Sequence, residues 1–340
     1  MALKIIKKKI GQQTIKEVTY ESASQKVTLL SLGAAIKRWE TKDKEGQFEN
    51  IVISYANDED YLKNTKFLGA TVGPYAGRIY PSELSFDGKT YPLSKNFMNH
   101  ANLHSGPDNI TTHNFTVKKL NDHAVLMETQ KPAADHEFPG NMTFFITVVF
   151  GEDTLSLTYE TTSDATSVAN LTNHTYFNLS GDLKATILEH TLKLPSHQHV
   201  ELDAFFMGKD IVKSADTPFD FHEPKRLKEG IMPLKNSAQK GLDHPFLLKA
   251  GAIELWDETS GRSLKIETDY DAVVVYTNNI LTDHVFNHQK TDQDHLAVCL
   301  ETQHIPNDMH LFEKPPSLIK PGETKKRTTK YTINHQCKPS

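Results

Sequence analysis

Residues 142–164 read MTFFITVVFGEDTLSLTYETTSD. β-branched and aromatic residues dominate both halves. In the second half apolar and polar residues exchange places at each step, with Leu155, Leu157 and Tyr159 set between Ser156, Thr158 and Glu160. A period of two sends successive side chains to opposite faces of an extended chain, the pattern of a half-buried strand. The polar break GED at 151–153 joins the two runs as a hairpin turn. The same form recurs downstream in AIELWDETSGRSLKIETDYDAVVVYTNN (252–279), with TSGR as a turn, and upstream in HNFTVKKLNDHAVLMETQ (113–130), around Asn121 and Asp122. Further strands are predicted in KVTLLSLGAAIKRWET, ENIVISY, ATILEHTLKLP and the final KKRTTKYTIN.

Helical spacing of apolar residues is scarce. The best short helix lies near NDEDYLKNTKFLG (57–69), where Asn57 or Asp58 can cap the first turn. Many strands, polar turns and few helices predict an all-β fold, a large antiparallel β-sandwich or barrel. Neither a Pro/Gly/Ser-rich linker nor an internal repeat breaks the run, so residues 1–340 are expected to form one domain. A closed two-sheet design also manages the exposed edges that so many strands would otherwise present.

Composition narrows the function. The chain has 340 residues, 37% hydrophobic, enough for a substantial core. Its formal net charge of -5 argues against a nucleic-acid partner. The start KIIKKKIG is too short for a basic binding arm and lacks the apolar segment of a signal peptide; it reads as a solvated strand end. No stretch reaches the apolar length of a membrane span. The two cysteines, Cys299 and Cys337, form neither a ligand cluster nor a disulfide framework, and a reducing, cytoplasmic setting is expected.

Strand ends and adjoining loops are where β folds place function. Five such places carry clustered polar residues: Arg78 in GPYAGRI, His104 in NLHSG, His174 in NLTNHTYFNLSG, Asp243 in KGLDHPFLL and Glu301 in CLETQHIP. Glu301 ends an apolar run, so partial desolvation should raise its pKa toward that of a base useful near neutral pH. A histidine exchanges protons in the same range. Aspartate accepts hydrogen bonds and arginine donates several in a fixed fork, which suits hydroxyl-rich ligands. Singly, each residue has a plain structural explanation: an ion pair for Arg78, a turn for His104, a backbone hydrogen bond for His174, an Asx turn for Asp243, a salt bridge for Glu301. His197 and His199 in PSHQHVELD could hold a metal from one strand face, but a third ligand is missing and a solvated face explains them better. There is no nucleophile elbow and no glycine-rich phosphate cradle.

Taken in order, GPYAGRI, NLHSG, NHTYFNLSG, LDHPF and ETQHIP resemble the aldose 1-epimerases, the galactose mutarotases, over nearly the whole chain. The resemblance implies a galactose mutarotase-like supersandwich with an open sugar cleft. It implies interconversion of the α- and β-anomers of an aldohexose, galactose or glucose, without cofactor or metal. It assigns Glu301 as general base at the anomeric hydroxyl, His174 as general acid at the ring oxygen and His104 as its assistant, with Arg78 and Asp243 holding ring hydroxyls. The acid and base are expected on opposite sides of the sugar, with no carboxylate locking His174 into a permanent charge. Two positions depart from the family pattern: Gly77 stands where many members have asparagine, and Val274 where some have glutamine. A lectin-like sugar-binding sandwich, a relative acting on hexose phosphates and a metal-dependent isomerase remain alternatives. A monomer or homodimer acting on a small sugar is expected.

Overall fold

The computed structural model describes residues 2–135 and 137–335; Cys337 lies outside them. The hairpin that opens the sequence reading forms Met142–Phe150 and Thr154–Ser163, paired from Met142↔Ser163 to Phe150↔Leu155. These two strands lie within a nine-stranded sheet, in the order Thr116–Asn121, Ala124–Lys131, Met142–Phe150, Thr154–Ser163, Thr324–Asn334, Arg262–Thr268, Ile253–Asp257, Thr191–Lys193, Lys225–Arg226. The long C-terminal strand therefore sits in the middle of the sheet and closes two separate hairpins onto each other.

A six-stranded sheet runs in the order Tyr176–Phe177, Val298–Gln303, Ala272–Tyr276, Asp243–Leu247, Gln198–Leu202, Gly208–Lys213. A five-stranded meander, from Ala2–Ile10 to Phe48–Asn50, forms a third. Pairing in all three is antiparallel. Among the described residues α-helix is confined to Leu227–Ile231 and Asp308–Leu311. The fold is the all-β sandwich that the alternation predicts.

One apolar cluster draws members from all three sheets, among them Val18, Trp39, Ile146, Leu157, Val275 and Leu300. Trp39 marks the junction: its ring meets Phe177 of the six-stranded sheet at 6.2 Å and Tyr331 of the nine-stranded sheet at 5.9 Å, both edge-on. Its indole N–H donates to Gln25 Oε1 at 2.8 Å, so its polar edge is satisfied in the interior.

Three local expectations change. The helix after Asn57 is a 3-10 turn, Asp58–Leu62, with Asn57 capping it through the Glu59 N–H. ATILEHTLKLP carries only the strand Thr191–Lys193, preceded by a 3-10 turn at Ile187–Glu189. Arg262, read as a turn residue, opens its strand and is fully buried. Its guanidinium reaches Glu49 Oε2 at 3.0 Å and the carbonyls of Lys42 and Leu179, fastening the N-terminal meander to the nine-stranded sheet.

Candidate active site

The six-stranded sheet has two unlike faces. Residues directly opposite each other on neighbouring strands share a face, and i, i+2 neighbours do too. Leu300 and Thr302 point to the core, where Thr302 Oγ1 lies 2.6 Å from Thr329 Oγ1 of the nine-stranded sheet. Cys299, Glu301 and Gln303 take the other face. Across from them stand Tyr276, Val274 and Ala272, and beyond these Asp243, Pro245 and Leu247. That face floors a cavity of about 280 Å³.

The strand does not end at Glu301 but runs on to Gln303; Glu301 lies within an interior strand, and its side chain turns away from the core and toward the cavity. His174 is brought to it by its own backbone. Its N–H donates to Ala70 O at 2.9 Å and its carbonyl accepts from Gly69 N–H at 3.0 Å, while Tyr176, two residues on, pairs with Cys299. His174 Nε2 consequently stands 3.4 Å from Glu301 Oε1, and Nδ1 stands 3.5 Å from Cys299 Sγ. His104 arrives from a loop, with its backbone in the left-handed region at φ 52°. Its N–H donates to Gly77 O at 2.9 Å, and Gly77 N–H donates back to His104 Nδ1 at 3.1 Å. Because Nδ1 is an acceptor, the neutral ring carries its proton on Nε2.

Arg78 donates through its Nη2 to Asp243 Oδ2 at 2.8 Å. Its guanidinium is held between two phenyl rings, 4.5 Å from the centroid of Phe97 and 5.1 Å from that of Phe206. All five residues picked from the sequence line the one cavity. The expectation that acid and base would be held apart across a sugar is corrected: His174 and Glu301 touch. The anomeric hydroxyl and the ring oxygen of a pyranose are bonded to the same carbon, so two neighbouring groups can reach both.

Burial governs the electrostatics. It pushes the Glu301 carboxyl well above the usual carboxylate range, the nearby Asp243 charge adding to the effect and Arg78 opposing it. It pulls His174 down to about 3, with the Lys66 ammonium contributing, and His104 well below the ordinary histidine value. Asp243 is raised by burial in spite of its arginine partner. Every one of these shifts favours an uncharged group. Potential ligand atoms of His104, His174 and Glu301 lie within 4.8 Å of one another, so this trio could also hold a divalent ion.

The sequence reading misses the cavity walls. Phe67 packs edge-on against His104 at 4.8 Å, and Tyr176 lies 5.0 Å from His174. Lys66 is buried, donating to Asp292 Oδ2 at 2.7 Å and Ile280 O at 2.9 Å, and so ties two cavity-lining loops together. The aromatic pair Phe205-Phe206 in a polar loop was the available signal. His199 is likewise no solvated residue: it is buried, stacked on Phe219 at 4.1 Å and bonded to Ser214 Oγ at 3.0 Å, while His197 is exposed.

A sequence model described as aldose 1-epimerase matches residues 16–332. Galactose mutarotase of Sus scrofa is 28% identical over 334 residues, 95% of each chain. Aldose 1-epimerase of Escherichia coli K12 is 29% identical over 321 residues, 91% of this chain and 92% of that one. Among solved structures, an aldose epimerase homologue from C. elegans superposes with a TM-score of 0.86 at 26% identity, covering 99% of this chain and 100% of its own. The galactose 1-epimerase of Lactobacillus acidophilus, at 24% identity and a TM-score of 0.83, shares the fold over 98% of this chain and 99% of its own. With the match running through all three sheets and all five cavity segments, the chain belongs to the aldose 1-epimerase family of isomerases.

Proposed function

We propose that the protein interconverts the α- and β-anomers of an aldohexose by opening and reclosing the pyranose ring, with Glu301 and His174 as its proton carriers. The observation that carries this is the 3.4 Å approach of His174 Nε2 to Glu301 Oε1 on the cavity floor. A cyclic aldose is a hemiacetal. Glu301 takes the proton of the anomeric hydroxyl, the C1–O1 bond becomes a carbonyl, the C1–O5 pair moves to the ring oxygen, and O5 takes a proton from His174. The open chain turns about C1–C2 and closes on the other face by the reverse transfers.

The buried pair holds one proton between its members. Imidazolium with carboxylate, and imidazole with carboxylic acid, are two arrangements of the same proton count; opening turns the first into the second, and closing restores it. No net proton enters or leaves. The shifts at both residues favour imidazole with carboxylic acid, the arrangement that opening produces, so the reactive charged arrangement is the minor one. His104, donating from Nε2, would stabilise charge developing on a sugar oxygen. Arg78 and Asp243 would hold ring hydroxyls.

Anomerisation of freshly dissolved α-galactose, followed by polarimetry, is the test. Glu301→Gln should slow it by ~10²–10⁴, the usual worth of one positioned proton carrier. His174→Asn should act mainly on kcat. A near-wild-type rate in Glu301→Gln ends the base assignment, and a wild-type rate no faster than the spontaneous one favours a lectin. The closeness of the three ligand atoms favours one second reading, a metal-assisted reaction, which loss of activity in a chelator would reveal.

The core cluster shared by all three sheets fits a single domain. Among the described residues no helix is long and apolar enough to cross a membrane. The net charge of -5 speaks against nucleic acid, and the free Cys299 fits a reducing, cytoplasmic setting.

A further inference from the structure

Two residues beyond Glu301, Gln303 shares its face of the strand and also lines the cavity. Its side chain is fully buried, and among the described residues neither its Oε1 nor its Nε2 has a hydrogen-bond partner. A buried polar group left unpaired costs about 1–3 kcal/mol, and here one side chain leaves two. Nothing around it offers relief. Across the sheet stand Ala272 and Leu247, and the diagonal neighbour is Val274. Above it, Gly77 at φ +81° contributes bare backbone: a Cβ there would lie 3.2 Å from Gln303 Nε2 and 2.5 Å from Pro306 Cγ. Next along the chain, Arg78 Nε is buried and unpartnered as well. A leucine would fill the position of Gln303 at lower cost, so the carboxamide calls for a ligand.

We propose that Gln303 determines substrate specificity by binding the hydroxyl on the carbon next to the anomeric centre, and so selects aldoses that carry a 2-hydroxyl. The inference rests on the placement of the anomeric carbon at Glu301 and the ring oxygen at His174. His174 stands at the Cys299 end of the row Cys299, Glu301, Gln303, whose members are about 7 Å apart along the strand. With the ring oxygen toward Cys299 and C1 at Glu301, the carbon on the far side of C1 is C2, and it points toward Gln303. A hydroxyl donates one hydrogen bond and accepts up to two; the amide offers both an acceptor and a donor.

The experiment compares galactose with 2-deoxygalactose, subtracting spontaneous rates, for the wild type and Gln303→Met, which keeps the volume and removes both polar atoms. The wild type should prefer galactose by roughly 10-fold or more in kcat/KM, the worth of a hydrogen bond whose partner is otherwise left buried and unpaired. Gln303→Met should lose that factor on galactose, chiefly through KM, change little on 2-deoxygalactose, and melt at or above the wild-type temperature. Equal losses on both sugars, or a retained preference in the variant, overturn the proposal, as does a wild type indifferent to the 2-hydroxyl. If the wild type turns over neither sugar, the anomerase reading itself fails and takes this inference with it. If Glu301→Gln stays active while the Gln303→Met pattern appears, only the base assignment falls.

Discussion

The nine-stranded and six-stranded sheets are built from the same kind of chain and use it differently. Along Thr154–Ser163 burial alternates at each residue, partly exposed and then buried, for the whole length of the strand. Along Val298–Gln303 and Ala272–Tyr276 every residue is buried. The period of two survives there, but it separates core from cavity instead of core from water. Leu300 and Val275 serve the first; Glu301, Gln303 and Tyr276 serve the second. A sheet that carries chemistry on one face gives up solvent on both, and the polar groups it keeps are held at the expense of stability.

The sharpest way to break this comparison is to mutate adjacent residues on opposite faces. Leu300→Ala should cost ~2–5 kcal/mol in urea unfolding, as large-to-small core changes do. Glu301→Gln, one residue away, should leave unfolding stability unchanged or raised, because it removes a group whose charge the burial opposes. Equal destabilisation by both would mean that the strand has no functional face. Smaller in effect is Arg78→Ala. It removes the charged hydrogen bond to Asp243 and a guanidinium that lines the cavity, so KM should rise at least as much as kcat falls, by roughly 10- to 100-fold for an interaction of about 1.5–3 kcal/mol.

The smallest expected effect is on pH dependence. Burial holds His174 and His244 down to about 3 and His199 to about 4, all on or against the six-stranded sheet. The unfolded chain binds these protons from about pH 6.5 downward, and the folded chain does not. The stability these groups contribute is therefore whole above about pH 6.5 and falls as pH drops from there toward 3. The melting temperature should be several degrees lower at pH 5 than at pH 7.5, and His244→Gln should flatten the slope. An unchanged slope would place the acid sensitivity elsewhere.

Much of this was legible in the residues. Hairpins on the nine-stranded sheet declare themselves because one face meets water and writes its polarity into the sequence. Glu301 was legible because a carboxylate at the end of VCL has no ordinary reason to be there. Gln303 was not, since a glutamine after Glu-Thr looks like a strand surfacing into solvent, and only coordinates reveal that both its faces are covered. His199 misled for the same reason in reverse: flanked by His197 and Gln198 it looks wet, yet Phe219 from a distant loop lies over it. The contact of His174 with Glu301 depends on the pairing of Tyr176 with Cys299, a register between segments far apart in the chain that no local pattern encodes.

The reciprocal bonds between Gly77 and His104 have a consequence for symmetry. A sugar presents two mirror-like approaches at C1, and a ring free to swap its tautomer could meet either one by giving or by taking. Tethered to the main chain at one nitrogen, residue 104 can only give. In the proposed reaction it would meet both anomers in the same way, and the choice of face would pass to the open aldehyde, turning on its own axis.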